Sequence, residues 1–167
     1  TIETFVHRIS KGNREAILFI PDGSHNLAFN ISKNLKNKIG NLEYLKEEFD
    51  IFLYIKPNSG VRAIHNGNKR LNQNHLTGWM IENGYSYSSS YLLETLFLTD
   101  YLKFNYDTVT VMGLSQGGSA SMYNCLFTNP DRCIVASGYS VLNHKYSWRE
   151  IGGFIIPNIY EKIYINF

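Results

Sequence analysis

The chain carries short apolar runs set between longer stretches in which apolar residues recur every three or four positions. "AILFI" at 16–20, "IFLYI" at 51–55, "VTVM" at 109–112 and "CIVA" at 133–136 are β-rich and do not alternate cleanly. Such runs predict strands buried on both faces, as in a parallel sheet covered by helices. "TFVHRI" at 4–9 alternates better and predicts an edge strand. Between the strands, Leu27, Ile31 and Leu35 recur at helical spacing, and Leu42, Leu45 and Phe49 continue the pattern. Leu92, Leu93, Leu96, Phe97 and Tyr101 predict a helix with a broad apolar face, with Ser88, Ser89 and Ser90 as its N-cap material. A further helix is predicted over "GGSASMYNCLF", ending before Pro130. Alternation in this order predicts an α/β fold: a mostly parallel sheet covered by helices on both faces. Residues 57–84, rich in Gly and Asn and poor in periodicity, read as a long excursion of the kind that forms lids or rims.

Size and charge narrow the picture. A chain of 167 residues with 44% hydrophobic content fits one domain, 1–167, with an ample core. A net charge of +2, evenly spread, argues against a nucleic-acid or membrane-surface partner. No apolar run is long enough to span a bilayer. The opening "TIETFVHRIS" has no initiator Met and no signal-peptide pattern, which fits either a cytoplasmic protein, slightly favoured, or a chain that was trimmed or processed, and leaves localisation open. Cys125 and Cys133 lie in apolar surroundings outside any CxxC pair and are expected to be buried free thiols. His65 and His75 stand ten apart with no nearby Cys or acid, so no metal is expected. His7 reads as structural and Asp107 as a turn residue entering a strand; Trp79, Tyr85 and Tyr87 either line an acyl or sugar pocket or, the preferred reading, pin the excursion to the core.

One motif carries chemistry. Gly113-Leu114-Ser115-Gln116-Gly117 fits G-x-S-x-G, between an apolar strand and a helix. The turn is so tight that side chains two residues before and after the serine would collide, so both positions call for glycine. The serine hydroxyl is then held clear of the sheet, beside a helix N-terminus that favours negative charge. The N–H of Gln116 would face the oxyanion formed when Ser115 attacks a carbonyl. Gly118 would let the helix pack close to the sheet. A phosphate-cradling loop is poorly supported, because neither a GKS/T ending nor G-x-G-x-x-G spacing is present.

"VMGLSQGGSASMY", "NPDRCIVASG" and "AILFIPDGSHN" together resemble the α/β-hydrolase family, in particular its serine esterases and thioesterases. The resemblance runs from about Ala16 to Tyr139, and the elbow is its one specific motif. It implies an acyl-enzyme on Ser115 formed from a small-molecule or glycan ester, or a thioester, without a cofactor. It also implies a second oxyanion donor in Asp22-Gly23-Ser24, from the backbone N–H of Ser24 or of Gly23, where the family commonly has His-Gly-x. Acyl transfer by the same nucleophile and a non-catalytic binding module remain as alternatives.

The family's order is nucleophile, acid, then His. After Ser115 the sequence offers Asp131, Glu150, Glu161 and His144. Asp131 precedes a strand and so belongs to the wrong end of the sheet. His144 follows "CIVASGYS" too soon to be the family's final-loop histidine. The chain therefore reads as the N-terminal part of such a domain, ending before its last strands. The other reading is a reduced domain in which His144 or His25 is the base. A shortened sheet would present an unpaired edge and self-associate through it.

Overall fold

In the computed structural model, the described residues are 6–9, 11–21, 45–59, 62, 65–66 and 69–137. The apolar runs become strands. β1 (Val6–Ile9), β2 (Glu15–Ile20) and β3 (Phe49–Tyr54) come first; β4 (His65–Asn66) and β5 (Lys69–Arg70) form a small antiparallel ribbon. Helices α1 (Gln73–Glu82) and α2 (Tyr87–Asn105) precede β6 (Thr108–Leu114), and α3 (Gln116–Thr128) leads to β7 (Arg132–Ala136). The five-stranded sheet has the order β1-β3-β2-β6-β7. β1 is antiparallel to β3, and the other pairs are parallel, so the sheet is mixed and mostly parallel.

The continuous apolar runs exist because both faces of the central strands are buried. Ala16, Leu18, Ile20, Phe52, Tyr54, Val109 and Val111 face the core shared with Tyr87, Tyr91, Leu98, Leu102 and Ala120 of the helices. The alternate residues Ile17, Phe19, Ile51 and Leu53 point the other way and are buried too. Each such aliphatic side chain contributes about 2 kcal/mol. The helix expected from Leu27 to Leu35 lies outside the described residues. Phe49, expected to end that helical stretch, is instead the first residue of β3.

Two expectations about helices need correction. The excursion at 57–84 holds both the β4–β5 ribbon and α1. α1 escaped notice because it turns Thr77 inward and Trp79 and Ile81 outward, which erases the periodicity. In α2, Leu93, Phe97 and Tyr101 are exposed, while Glu94, Thr95 and Thr99 are buried. The Thr95 hydroxyl is satisfied within its own helix by the Leu92 carbonyl, and that of Thr99 lies within hydrogen-bond distance of both the Thr95 carbonyl and Asn124 Oδ1 of α3. The N-cap is Ser86, whose hydroxyl accepts the Ser89 N–H at 3.2 Å, and Ser88–Ser90 fill the first turn. α3 ends at Asn129 in the left-handed conformation, with Pro130 next.

Glu94 is held below α2 by Arg62, whose Nη1 and Nη2 donate to its two oxygens at 2.6 and 2.9 Å. The Tyr54 hydroxyl donates to the same carboxylate at 2.8 Å. Burial, then the Glu94 charge, pushes the Tyr54 phenol far above the ordinary tyrosine range, so it stays a donor. Burial works against the Arg62 charge, but its pair with Glu94 outweighs this and holds the guanidinium above its ordinary value.

The cysteines are a third correction. Cys125 on α3 and Cys133 on β7 form a disulfide, and neither is a buried free thiol. Their shared apolar surroundings reflected a neighbouring helix and strand, which sequence spacing alone does not reveal.

Two features fix how closely α3 sits on the sheet. A Cβ on Gly113 would overlap the Gly117 carbonyl oxygen and the Ser121 hydroxyl. A Cβ on Gly117 would overlap the Ile20 carbonyl oxygen and lie 2.5 Å from that of Pro21. Backbone cannot yield as a flexible side chain does. Gly117→Ala is therefore expected to destabilise the protein by about 3 kcal/mol, an overpacking cost. Gly78→Ala, where a Cβ meets nothing within 4 Å, should stabilise α1 by about 0.5–1 kcal/mol. Glu94→Gln should cost about 2 kcal/mol by leaving Arg62 without its carboxylate. Urea unfolding midpoints of the three variants check these signs.

Candidate functional site

β6 runs between β2 and β7 with Val109, Thr110 and Val111 buried, and ends at Leu114. The next residue, Ser115, has φ 56° and ψ −117°, and α3 begins at Gln116. A non-glycine residue rarely takes such a backbone, at a cost of about 1–3 kcal/mol, and it persists only where its surroundings over-determine it. Here they do. The Ser115 N–H donates to the Ala136 carbonyl of β7 at 2.8 Å, and its carbonyl accepts the Ser119 N–H at 3.1 Å. The side chain makes no capping hydrogen bond to α3, and the residue is partly exposed.

The topology marks the same place. From β2 the chain moves to β3 on one side, and later to β6 on the other. The crevice beyond the carboxyl ends of β2 and β6 is thus a topological switch point, where open α/β sheets place their ligands. Gly117 meets the carbonyls of Ile20 and Pro21 there, so the chain leaving β2 starts beside the elbow.

Sequence reasoning missed one residue at this crevice. Lys56, just past β3, is 2% exposed, and its Nζ donates to Gln116 Oε1 at 2.7 Å. The signal was its place directly after "IFLYI", at the carboxyl end of a fully buried strand.

The other expected site residues divide simply. Gly113, Ser115, Gln116 and Gly117 come together at the β6–α3 corner. Gly23, Ser24, His25, His144, Glu150 and Glu161 lie outside the described residues. Asp131 accepts the Val109 N–H at 2.8 Å, at the end of β6 opposite Ser115. His7 lies in β1 and His65 in β4; His75 is exposed on α1. Tyr87 is buried and donates to the Pro57 carbonyl at 2.9 Å, pinning that loop, whereas Trp79 and Tyr85 are exposed and do not pin the excursion to the core as expected. Asp107 pairs with Arg14 at 2.6 Å as β6 begins. Among the described residues, no group of three or more His, Cys, Asp and Glu is arranged to hold a metal ion, and no helix is long and apolar enough to cross a membrane.

No family model matches the chain, and no curated protein matches it. Solved structures similar to it include the following two. One comes from work on LipS and LipT, metagenome-derived lipolytic enzymes; it has a TM-score of 0.47 and 13% identity, covering 79% of this chain and 43% of that one. The other is a marine microorganism esterase, with a TM-score of 0.45 and 18% identity, covering 80% of this chain and 40% of that one. This chain spans less than half the length of either.

Proposed function

We propose that the protein is a serine hydrolase of the α/β-hydrolase type, acting on a carboxylic ester or thioester through Ser115. The observation that carries this reading is the backbone of Ser115: φ 56°, between strand and helix, in a residue partly exposed at the switch-point crevice. Strain of this kind clusters at functional sites. Two glycines, at 113 and 117, are both needed sterically to produce it.

In the proposed reaction, Ser115 Oγ attacks the carbonyl carbon as a base takes its proton. The carbonyl oxygen becomes an oxyanion in front of the first turn of α3. First-turn N–H groups point out of a helix and favour negative charge. The Gln116 N–H is one donor; the N–H of Ser24, or of Gly23, is the other. Collapse of the adduct expels the alcohol or thiol and leaves the acyl group on Ser115, and water then releases the acid. His144 is the proposed base. None of these steps calls for a metal or organic cofactor. A further part of the reading is self-association through the outer edge of β7, which has no partner strand among the described residues.

An alkyl fluorophosphonate should label the folded protein at Ser115, and Ser115→Ala should abolish the labelling. Turnover of p-nitrophenyl acetate should fall by about 10³-fold or more in the same variant. Mass spectrometry locating the label elsewhere, or a folded protein that takes no label, overturns the reading and leaves a binding module.

A further inference from the structure

The loop that follows β3 is built with unusual care for a surface connection. The Ile55 carbonyl accepts Arg62 Nη1 at 3.0 Å. The Lys56 carbonyl accepts the Ser59 N–H at 3.1 Å. The Pro57 carbonyl accepts the Tyr87 hydroxyl at 2.9 Å. Asn58 takes φ 55°, is 1% exposed, and donates its side-chain amide to the Leu71 carbonyl at 3.0 Å. Four consecutive residues are thus tied down around one side chain, that of Lys56.

That side chain does something costly. It carries an ammonium into a site where both Lys56 and Gln116 are 2% exposed. An apolar pair of similar volume fills such a place at less cost than a buried charge. Its target makes the choice odder. Gln116 opens α3, and the N-terminal end of a helix already carries partial positive charge, so a cation is disfavoured there. β3 is not even adjacent to β6; β2 lies between them, and Lys56 reaches past the end of β2 to arrive. The contact places a cation against the side chain of the residue that follows Ser115, where it favours a negative charge forming in front of α3.

We propose that Lys56 is a positioning residue for the oxyanion step: its ammonium holds the Gln116 side chain beneath the elbow, which fixes the Gln116 peptide N–H and sets a positive charge behind it. The proposal rests on the serine-hydrolase reading above. As Ser115 adds to the carbonyl, negative charge appears on the substrate oxygen, and the preorganised donor meets it without rearrangement. In the ground state the carbonyl is neutral and gains much less. The contribution therefore falls on turnover rather than on substrate binding.

The test uses the full natural chain with p-nitrophenyl acetate and a fluorophosphonate. Lys56→Met removes the charge and the donor at similar volume. Gln116→Met keeps the peptide N–H but removes the atom that Lys56 grips. Each single variant should lower kcat by about 10- to 100-fold with KM within about twofold, and should slow phosphonylation of Ser115 in proportion. The double variant should lose no more than the worse single one, because both act through one contact. Wild-type kcat in either folded variant, a change confined to KM, or multiplying losses in the double variant would each overturn the proposal. Should Lys56→Met fail to fold, Gln116→Met decides alone. Activity that survives Ser115→Ala removes the serine-hydrolase reading itself, and Lys56 falls with it; activity lost in Ser115→Ala but untouched in both methionine variants removes only Lys56.

Discussion

The site depends on one approach of backbone to backbone. At Gly117, the first turn of α3 rests on the last carbonyls of β2, with no room for a side chain between them. Because the helix begins that close to the sheet, the chain has a single residue in which to turn from β6 into α3. That residue is Ser115, and its φ of 56° is the geometric consequence. Gly113 belongs to the same contact from the other side: the space a Cβ would need there is taken by the Gly117 carbonyl and the Ser121 hydroxyl. The spacing of the two glycines is thus one steric condition written twice. The strain at Ser115 is held by the hydrogen bonds to Ala136 and from Ser119, one from a strand and one from the helix.

Buried charges are arranged around this frame by sign. Asp50, fully buried near the start of β3, accepts Arg8 Nη2 at 3.1 Å, the Tyr106 hydroxyl at 2.8 Å, and the N–H groups of Lys11 and Asn13 at 3.1 Å each. It fastens the β1–β2 connection to the amino end of the sheet. Lys56 lies past the other end of the same strand, with Gln116. The buried carboxylate and the buried ammonium of β3 and its loop are therefore at opposite ends, and the cation is at the end where Ser115 emerges. Glu94 belongs to neither role, since Arg62 engages both its oxygens.

What the sequence made legible follows from the same physics. Strands buried on both faces leave uninterrupted apolar runs, and β2, β3 and β6 fall where "AILFI", "IFLYI" and "VTVM" predict them; "CIVA" does form β7, but its residues are exposed and not buried on both faces as expected. The corner was legible because glycine is the only residue that meets its steric demand. Helix faces were less so. Hydrophobicity marks Leu93, Phe97 and Tyr101, yet α2 buries Thr95 and Thr99, whose hydroxyls bond within the helix, and Glu94, which finds Arg62. Pairings across the fold, such as Lys56 with Gln116 or Cys125 with Cys133, have no local signature at all.

The disulfide bears on the elbow more directly than its place at the sheet's edge suggests. β7 pairs with β6 on one side, and its residues are all exposed, Ile134 at 48% and Val135 at 40%. A strand with so little burial is a weak anchor, yet its Ala136 carbonyl holds the Ser115 N–H. The Cys125–Cys133 bond ties that strand to the helix which Ser115 begins. Closing a ring this small removes unfolded-state freedom equivalent to about 2.5 kcal/mol. The clamp on the strained serine is thus covalently joined to the helix it clamps. Such a bond persists under oxidising conditions. Where the bond is reduced, the Ala136 carbonyl is held only by the pairing of β7 with β6 and its packing against α3.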